Sequence, residues 1–368
     1  MRKHVMVAAA LITAVSLSGC DMMQQLAETN TGNGQQAASE EGTDGASDVI
    51  PETVAEDLPF ELSTEDTEAF IVPDTGDILQ TEDETEPYYI VPDTETEQEA
   101  ETEKDDGPIT AILDNIVNAR TSLGEHWSIG YEDLETGAVY GYQDGDVMQS
   151  ASVVKLFIMG AVYRYMCYPP EGEDPIEFHE EYDGHLRDTI SNMITVSDND
   201  AANLLIERLG GGDFQKGAEL IGQFCADNGY TGTSIGRRFL DPAPSGDNYT
   251  SAADTRKFLS DLYHGRLVNE EASAKMLQFV MNQTRRNKIP SGLPAGFTCG
   301  NKTGEMPEGY NLGCIENDAA IVLAPEGMGK GYVLTVLSND LAGRNEEAIQ
   351  AIVQISAQAA AWYTEQHS

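Results

Sequence analysis

Ser152-Val153-Val154-Lys155 sets a hydroxyl and an amine three residues apart, and on a helix that spacing places both on one face, one turn apart. A serine attacks a carbonyl only when a base removes its proton, and a lysine becomes such a base when desolvation lowers its pKa. The run that follows, Leu156-Phe157-Ile158-Met159, makes the helix apolar on all sides, so Lys155 is expected to be buried and in need of a partner. The N-terminus of the helix favours the negative charge that develops at Ser152. The chemistry these residues suit is acyl transfer through a serine ester.

Two further clusters extend the pattern. Ser197-Asp198-Asn199 supplies a second hydroxyl that can relay a proton to a leaving nitrogen and an amide that can hold a carbonyl, although alone it also reads as a helix N-cap. Lys302-Thr303-Gly304, at the end of a predicted strand, supplies a cation and a hydroxyl for a carboxylate, then a glycine that lets backbone come close. Each cluster is common by itself. All three in this order arise by chance on the order of once in a few thousand chains of average composition, so together they read as one site.

Positioning these groups requires a domain, and hydrophobic periodicity outlines one over residues 109–368. Helical spacing over 109–123 is followed by a hairpin over 126–142 that turns at Glu135-Thr136-Gly137. Helices are expected over 152–166, 189–209 and 213–228, strands over 297–303, 311–323 and 332–337, and a closing amphipathic helix over 345–363. Strands at both ends of the domain must meet in one sheet. The expected fold is α+β: an antiparallel sheet of about five strands flanked by terminal helices, with an all-helical lobe inserted and a site in the cleft between.

The chain before that domain has a different character. Arg2 and Lys3 precede an apolar stretch over 5–17, too short to span a bilayer as an ordinary helix, which reads as a secretion signal over 1–20. It ends Leu17-Ser18-Gly19-Cys20, which resembles the bacterial lipobox, so Cys20 is the expected lipidated N-terminus and the outer face of a bacterial cytoplasmic membrane the expected location. Residues 21–108 hold 27 acidic residues and one basic residue, Lys104, and read as a disordered spacer. Within it Ile71-Val72-Pro73-Asp74-Thr75 recurs as Ile90-Val91-Pro92-Asp93-Thr94, a stalk-like repeat.

Charge and cysteine usage narrow the function classes. A formal charge of −42 without a basic patch repels nucleic acid. The chain has no Cys-x-x-Cys pair and no His-Glu-x-x-His, so neither a metal nor a cofactor is expected. His126, His179, His185 and His264 have no motif context, and none is assigned to catalysis. An exported chain can keep disulfides, and Cys299 and Cys314 flank a turn in a way that lets them pair, although Cys167 and Cys225 leave three connectivities open. A monomer is expected.

The three motifs resemble those of class A β-lactamases and penicillin-binding proteins. The segment from Ser197 through Leu205 is similar to the class A helical segment, Gly160-Ala161-Val162 follows the first motif as is common there, and the resemblance covers about residues 109–365. It implies Ser152 as the acylated nucleophile, Lys155 as base or proton relay, and Ser197 as donor to the leaving nitrogen. Asn199, Lys302, Thr303 and Gly304 would form the substrate cradle for a β-lactam or a peptidoglycan peptide. The oxyanion would lie between the backbone N–H groups of Ser152 and Glu305, where a glutamate is unusual.

The sequence also departs from that family. The loop glutamate that activates the deacylating water is missing from Arg237-Arg238-Phe239-Leu240-Asp241-Pro242. Asp241 is the nearest carboxylate for that role, and it reads equally as a turn cap before Pro242. Arg237 or Arg238 is expected to pair with Asp247 and keep the loop in shape, and the stretch over 168–183 is short for the family. Hydrolysis of a β-lactam amide is the leading expectation. A peptidase or transferase acting on peptidoglycan peptides, and a lipoprotein that binds cell-wall fragments without turnover, are the alternatives.

Overall fold

The computed structural model describes residues 107–177, 186–241, 246–306 and 314–368. The signal over 1–20, Cys20, the acidic segment over 21–106 with its repeat, His179, His185 and Pro242 lie outside the described residues.

A five-stranded antiparallel sheet forms from the two ends of the domain. Strands β1 (His126–Asp133), β2 (Val139–Tyr142), β5 (Thr298–Met306), β6 (Ile315–Leu323) and β7 (Tyr332–Asn339) lie in the order β2-β1-β7-β6-β5. The first and last strands meet as anticipated, β1 pairing with β7 from His126↔Asn339 to Asp133↔Tyr332. A separate short ribbon joins β3 (Met148–Gln149) to β4 (Tyr249–Thr250).

Side chains alternate across the sheet with period two, and both faces are covered. Tyr332, Leu334 and Val336 of β7 face a core closed by Ile112 and Ile116 of the first helical stretch and by Ile352, Ile355 and Tyr363 of the helix Asn345–Gln366. Val333, Ala319 and Ile321 face the opposite core, shared with the helical lobe. At the centre of that lobe runs the helix Lys155–Val162, every residue of which is buried, among Met193, Leu205, Ile221 and Phe258. Each fully buried Leu, Ile or Phe side chain contributes about 1.5–3 kcal/mol, so the apolar residues of this helix together hold the Lys155 amine away from water.

The structure departs from the sequence reading in four places. The expected helix over 189–209 is two helices, Leu186–Thr195 and Asn199–Leu209, because Asp198 caps the second by accepting from Ala201 N at 2.7 Å. Lys302-Thr303-Gly304 sits inside β5 rather than at a strand end. The helices Ala252–Tyr263 and Glu270–Met281 were not anticipated, although their caps, Ser251 and Asn269, carry the usual signal. Finally, all four cysteines of the domain are free thiols. Cys299 pairs in register with Val322 while Ile315, beside Cys314, pairs with Met306, so the two lie at opposite ends of the β5–β6 ladder. That is roughly 25 Å at about 3.3 Å per residue, far beyond disulfide reach.

Candidate active site

Ser152 is the second residue of the 3-10 turn Ala151–Val154, which runs directly into the helix Lys155–Val162. Ala151 before it has φ +44°, a left-handed conformation that costs a non-glycine residue energy and must be held by its surroundings. The hold is visible: Ser150 N donates to Asn248 O at 2.9 Å, and Asn317 Nδ2 donates to Gln149 O at 3.1 Å and to Ser150 O at 3.2 Å. Gly304 comes equally close from β5. A Cβ there would lie 2.8 Å from Ser150 O and 3.1 Å from Ser152 N, so the strand's backbone packs against the serine turn only because residue 304 has no side chain.

Lys155 is wholly buried and reaches neutral oxygens. Its Nζ donates to Ser197 O at 2.7 Å, to Asn199 Oδ1 at 2.7 Å and to Ser197 Oγ at 3.4 Å. Burial above all, and then the neighbouring Lys302, lowers its pKa to about 6, against the weaker opposing pull of Asp198. Lys302, also fully buried, donates to Ser197 Oγ at 2.9 Å and to Thr303 O at 2.8 Å, and burial lowers it to about 7. Two weakened amines therefore flank one hydroxyl. Ser197 holds that position with φ +64°, at the break between the two helices. The Thr303 hydroxyl is buried without a partner among the described residues, a donor available to an incoming group.

The loop that follows Gly236 is built as expected in its frame and otherwise at its tip. Arg237 Nε pairs with Asp247 Oδ1 at 2.8 Å, both side chains buried, whereas Arg238 turns to Glu207. Asn203 then grips the backbone of Phe239 twice, its Nδ2 donating to Phe239 O at 3.1 Å and its Oδ1 accepting from Phe239 N at 2.9 Å. The result presents the Phe239 ring to Lys155, 4.6 Å from Nζ to the ring centroid. The carboxylates that weigh on Lys155 are Asp198 and Glu305, and the loop contributes a ring there.

A third buried lysine lies behind β5. Lys288 Nζ contacts Glu316 Oε2 at 2.7 Å and Glu305 Oε1 at 3.2 Å, and Glu305 also pairs with Arg285. Burial would raise the Glu305 carboxyl, but Lys288, Arg285 and Lys302 outweigh it and hold the group at about 2. Sequence reasoning did not single out Asn203, Arg285 or Lys288. The one signal available was local, three cations within Arg285-Arg286-Asn287-Lys288 in a strongly acidic chain. His264 bridges Ser260 O and Leu134 O and His126 pairs with Asp146, so both serve the fold.

Known proteins resemble this arrangement along most of the domain. A family model described as the beta-lactamase enzyme family matches residues 108–167 and 175–363. Beta-lactamase FAR-1 of Nocardia farcinica is 27% identical over 238 residues, 60% of this chain and 73% of that protein. A beta-lactamase of Streptomyces cellulosae is 27% identical over 204 residues, 54% of this chain and 60% of that protein. Among solved structures, the beta-lactamase from Sphaerobacter thermophilus aligns with a TM-score of 0.56 at 23% identity, covering 70% of this chain and 98% of its own. PBP-A aligns with a TM-score of 0.56 at 21% identity, covering 70% and 97%. The structural likenesses speak for the fold and the family match for descent: the chain belongs to the beta-lactamase enzyme family, as a class A β-lactamase-like serine hydrolase.

Proposed function

We propose that this chain hydrolyses the amide of a β-lactam through an ester at Ser152. The observation that carries the reading is the buried Lys155 amine, held by neutral oxygens with its pKa near 6 and therefore mostly unprotonated at neutral pH. Lys155 takes the Ser152 hydroxyl proton as Oγ attacks the carbonyl, directly or through Ser197. The oxyanion is received by the backbone N–H groups of Ser152 and Glu305. The C–N bond breaks as Ser197 Oγ passes its proton to the leaving nitrogen and is reprotonated from the Lys155 side. Lys302 and Thr303 hold a substrate carboxylate across the strand from Gly304, and Asn199, whose Oδ1 is committed to Lys155, offers its Nδ2 to a substrate carbonyl.

Water then cleaves the ester, with Asp241 as the loop carboxylate for that step. Phe239 supports a second reading, in which the ester persists and the enzyme acts as a penicillin-binding peptidase: an apolar ring against Lys155 limits room for water there. PBP-A in variant form has been captured as an acyl-enzyme complex with penicillin G. A chromogenic cephalosporin and a penicillin, followed by absorbance and intact mass together, separate the two. Rapid turnover supports hydrolysis, a lasting adduct supports the peptidase, and loss of neither in Ser152→Ala removes the serine from both. Asp241→Asn tests deacylation alone, with an expected build-up of adduct at unchanged acylation rate.

Export and lipidation at Cys20 complete the reading, the acidic segment over 21–108 holding the domain off the membrane by self-repulsion. Incorporation of labelled lipid into the full chain, lost in Cys20→Ala, is the expected result.

A further inference from the structure

The Glu305 side chain has no part in that scheme, although its backbone borders the nucleophile. Residues 283–286 cross from the helical lobe to the sheet beside the cleft. Thr284 N donates to Thr195 O at 3.0 Å, two residues before Ser197, and Asn301 Nδ2 donates to Arg285 O at 3.2 Å, one residue before Lys302. Arg285 is thereby stationed between the Ser197 and Lys302 sides of the site, and its charge bears on both Lys155 and Lys302. Its side chain is still 46% exposed.

A guanidinium in such a place is a strong anchor for an anionic substrate, because its planar fork binds a carboxylate through parallel N–H donors. Here the anchor is already engaged by Glu305. Lys288 holds the same carboxylate from the buried side at 3.2 Å and is itself paired with Glu316 at 2.7 Å. Arg285 and Lys288 against Glu305 and Glu316 sum to zero charge. Among the described residues the cation left to receive a substrate carboxylate is Lys302.

We propose that Glu305 is a specificity-determining residue that masks Arg285 and leaves the carboxylate on the leaving-group side of an acyl donor to Lys302, so that the site favours donors that carry this carboxylate over internal amides or esters by less than an unmasked Arg285 would impose. The inference rests on acylation at Ser152. Benzylpenicillin and its methyl ester differ only in that carboxylate, and the rate of acylation by each is read by mass spectrometry as enzyme adduct plus hydrolysed donor. In Glu305→Gln the ratio of acid to ester rates rises about tenfold, the increment of one charge-assisted hydrogen bond. In the double variant Arg285→Gln, Glu305→Gln it returns to the wild-type ratio.

The ratio cancels any uniform effect on the oxyanion site, and Lys288 keeps Glu316, so the single variant leaves that lysine paired. A ratio that fails to rise, or that stays high in the double variant, overturns the masking and leaves acylation at Ser152 standing. Absence of both adduct and donor hydrolysis, with either donor on all three proteins, overturns the acyl-enzyme reading and the masking with it.

Discussion

Lys155 and Lys288 are the same residue type at the same burial, both with no exposed surface, yet their surroundings make opposite use of the amine. Around Lys155 the contacts are a backbone carbonyl, a hydroxyl, an amide oxygen and an aromatic ring. Around Lys288 they include two carboxylates. Burial without a counter-ion drives a lysine toward its neutral form, whereas burial with carboxylates keeps the charge and turns the lysine into a structural cation. One pocket makes a base and the other makes a scaffold. The difference lies in which neighbours arrive, not in depth.

Substitution by methionine, which keeps the stem and drops the amine, should separate the two pockets. Lys155→Met is expected to slow acylation by about 10³-fold or more with the fold intact, since a neutral side chain replaces a largely neutral amine. Stopped-flow rates and a melting curve check both halves, and an unfolded variant would show that the pocket depends on charge after all. Lys288→Met should instead act on stability, about 3–5 kcal/mol by denaturant titration, because two buried carboxylates lose their partner. Equal stability of that variant and wild type would dissolve the contrast.

The same contrast sets the pH behaviour. Acylation by a carboxylate-bearing donor should rise through about pH 6 as Lys155 sheds its proton and fall through about pH 7 as Lys302 sheds its own, giving a maximum between. For stability, the folded Lys155 releases its proton near pH 6 and the unfolded one only near 10.5, so between these values the unfolded chain binds more protons. Stability must therefore increase with pH across that window, by up to about 1.4 kcal/mol per unit from this residue, and Lys155→Met should remove that share of the rise and leave the share due to Lys302. The smallest expected effect comes from the ring over the amine. Phe239→Leu removes a cation–π contact that favours the protonated form, so the acid limb of the rate profile should move down by about half a pH unit. A shift upward would assign the ring a purely desolvating role.

Much of this was legible in the chain because it is local. The apolar run after Lys155 foretold its burial, the spacing of Ile112 and Ile116 foretold the first helical stretch, and Glu135-Thr136-Gly137 marked the hairpin turn. What was missed had other causes. The helices Ala252–Tyr263 and Glu270–Met281 were marked by Ser251 and Asn269, yet their apolar faces are interrupted by polar residues that are buried in context, such as Asp254 and Ser273. Cys299 and Cys314 looked like partners because a turn lies between them, and only the ladder register puts them at opposite ends.

By itself the sequence determined the order of the sheet strands along the chain, the burial of Lys155 and the three motifs with their departure at the loop, since each depends on residues a few positions apart. Tertiary structure decided the electrostatics. Ser197 reaches Lys155 across 42 positions and Lys302 across 105, and Glu316 of β6 reaches Lys288, which stands just before the short helix Ile289–Gly292. A local pattern can say that an amine will be buried. Whether it meets a carbonyl or a carboxylate, and so whether it becomes a base or a fixed cation, is settled by side chains that only the folded chain brings within 4 Å.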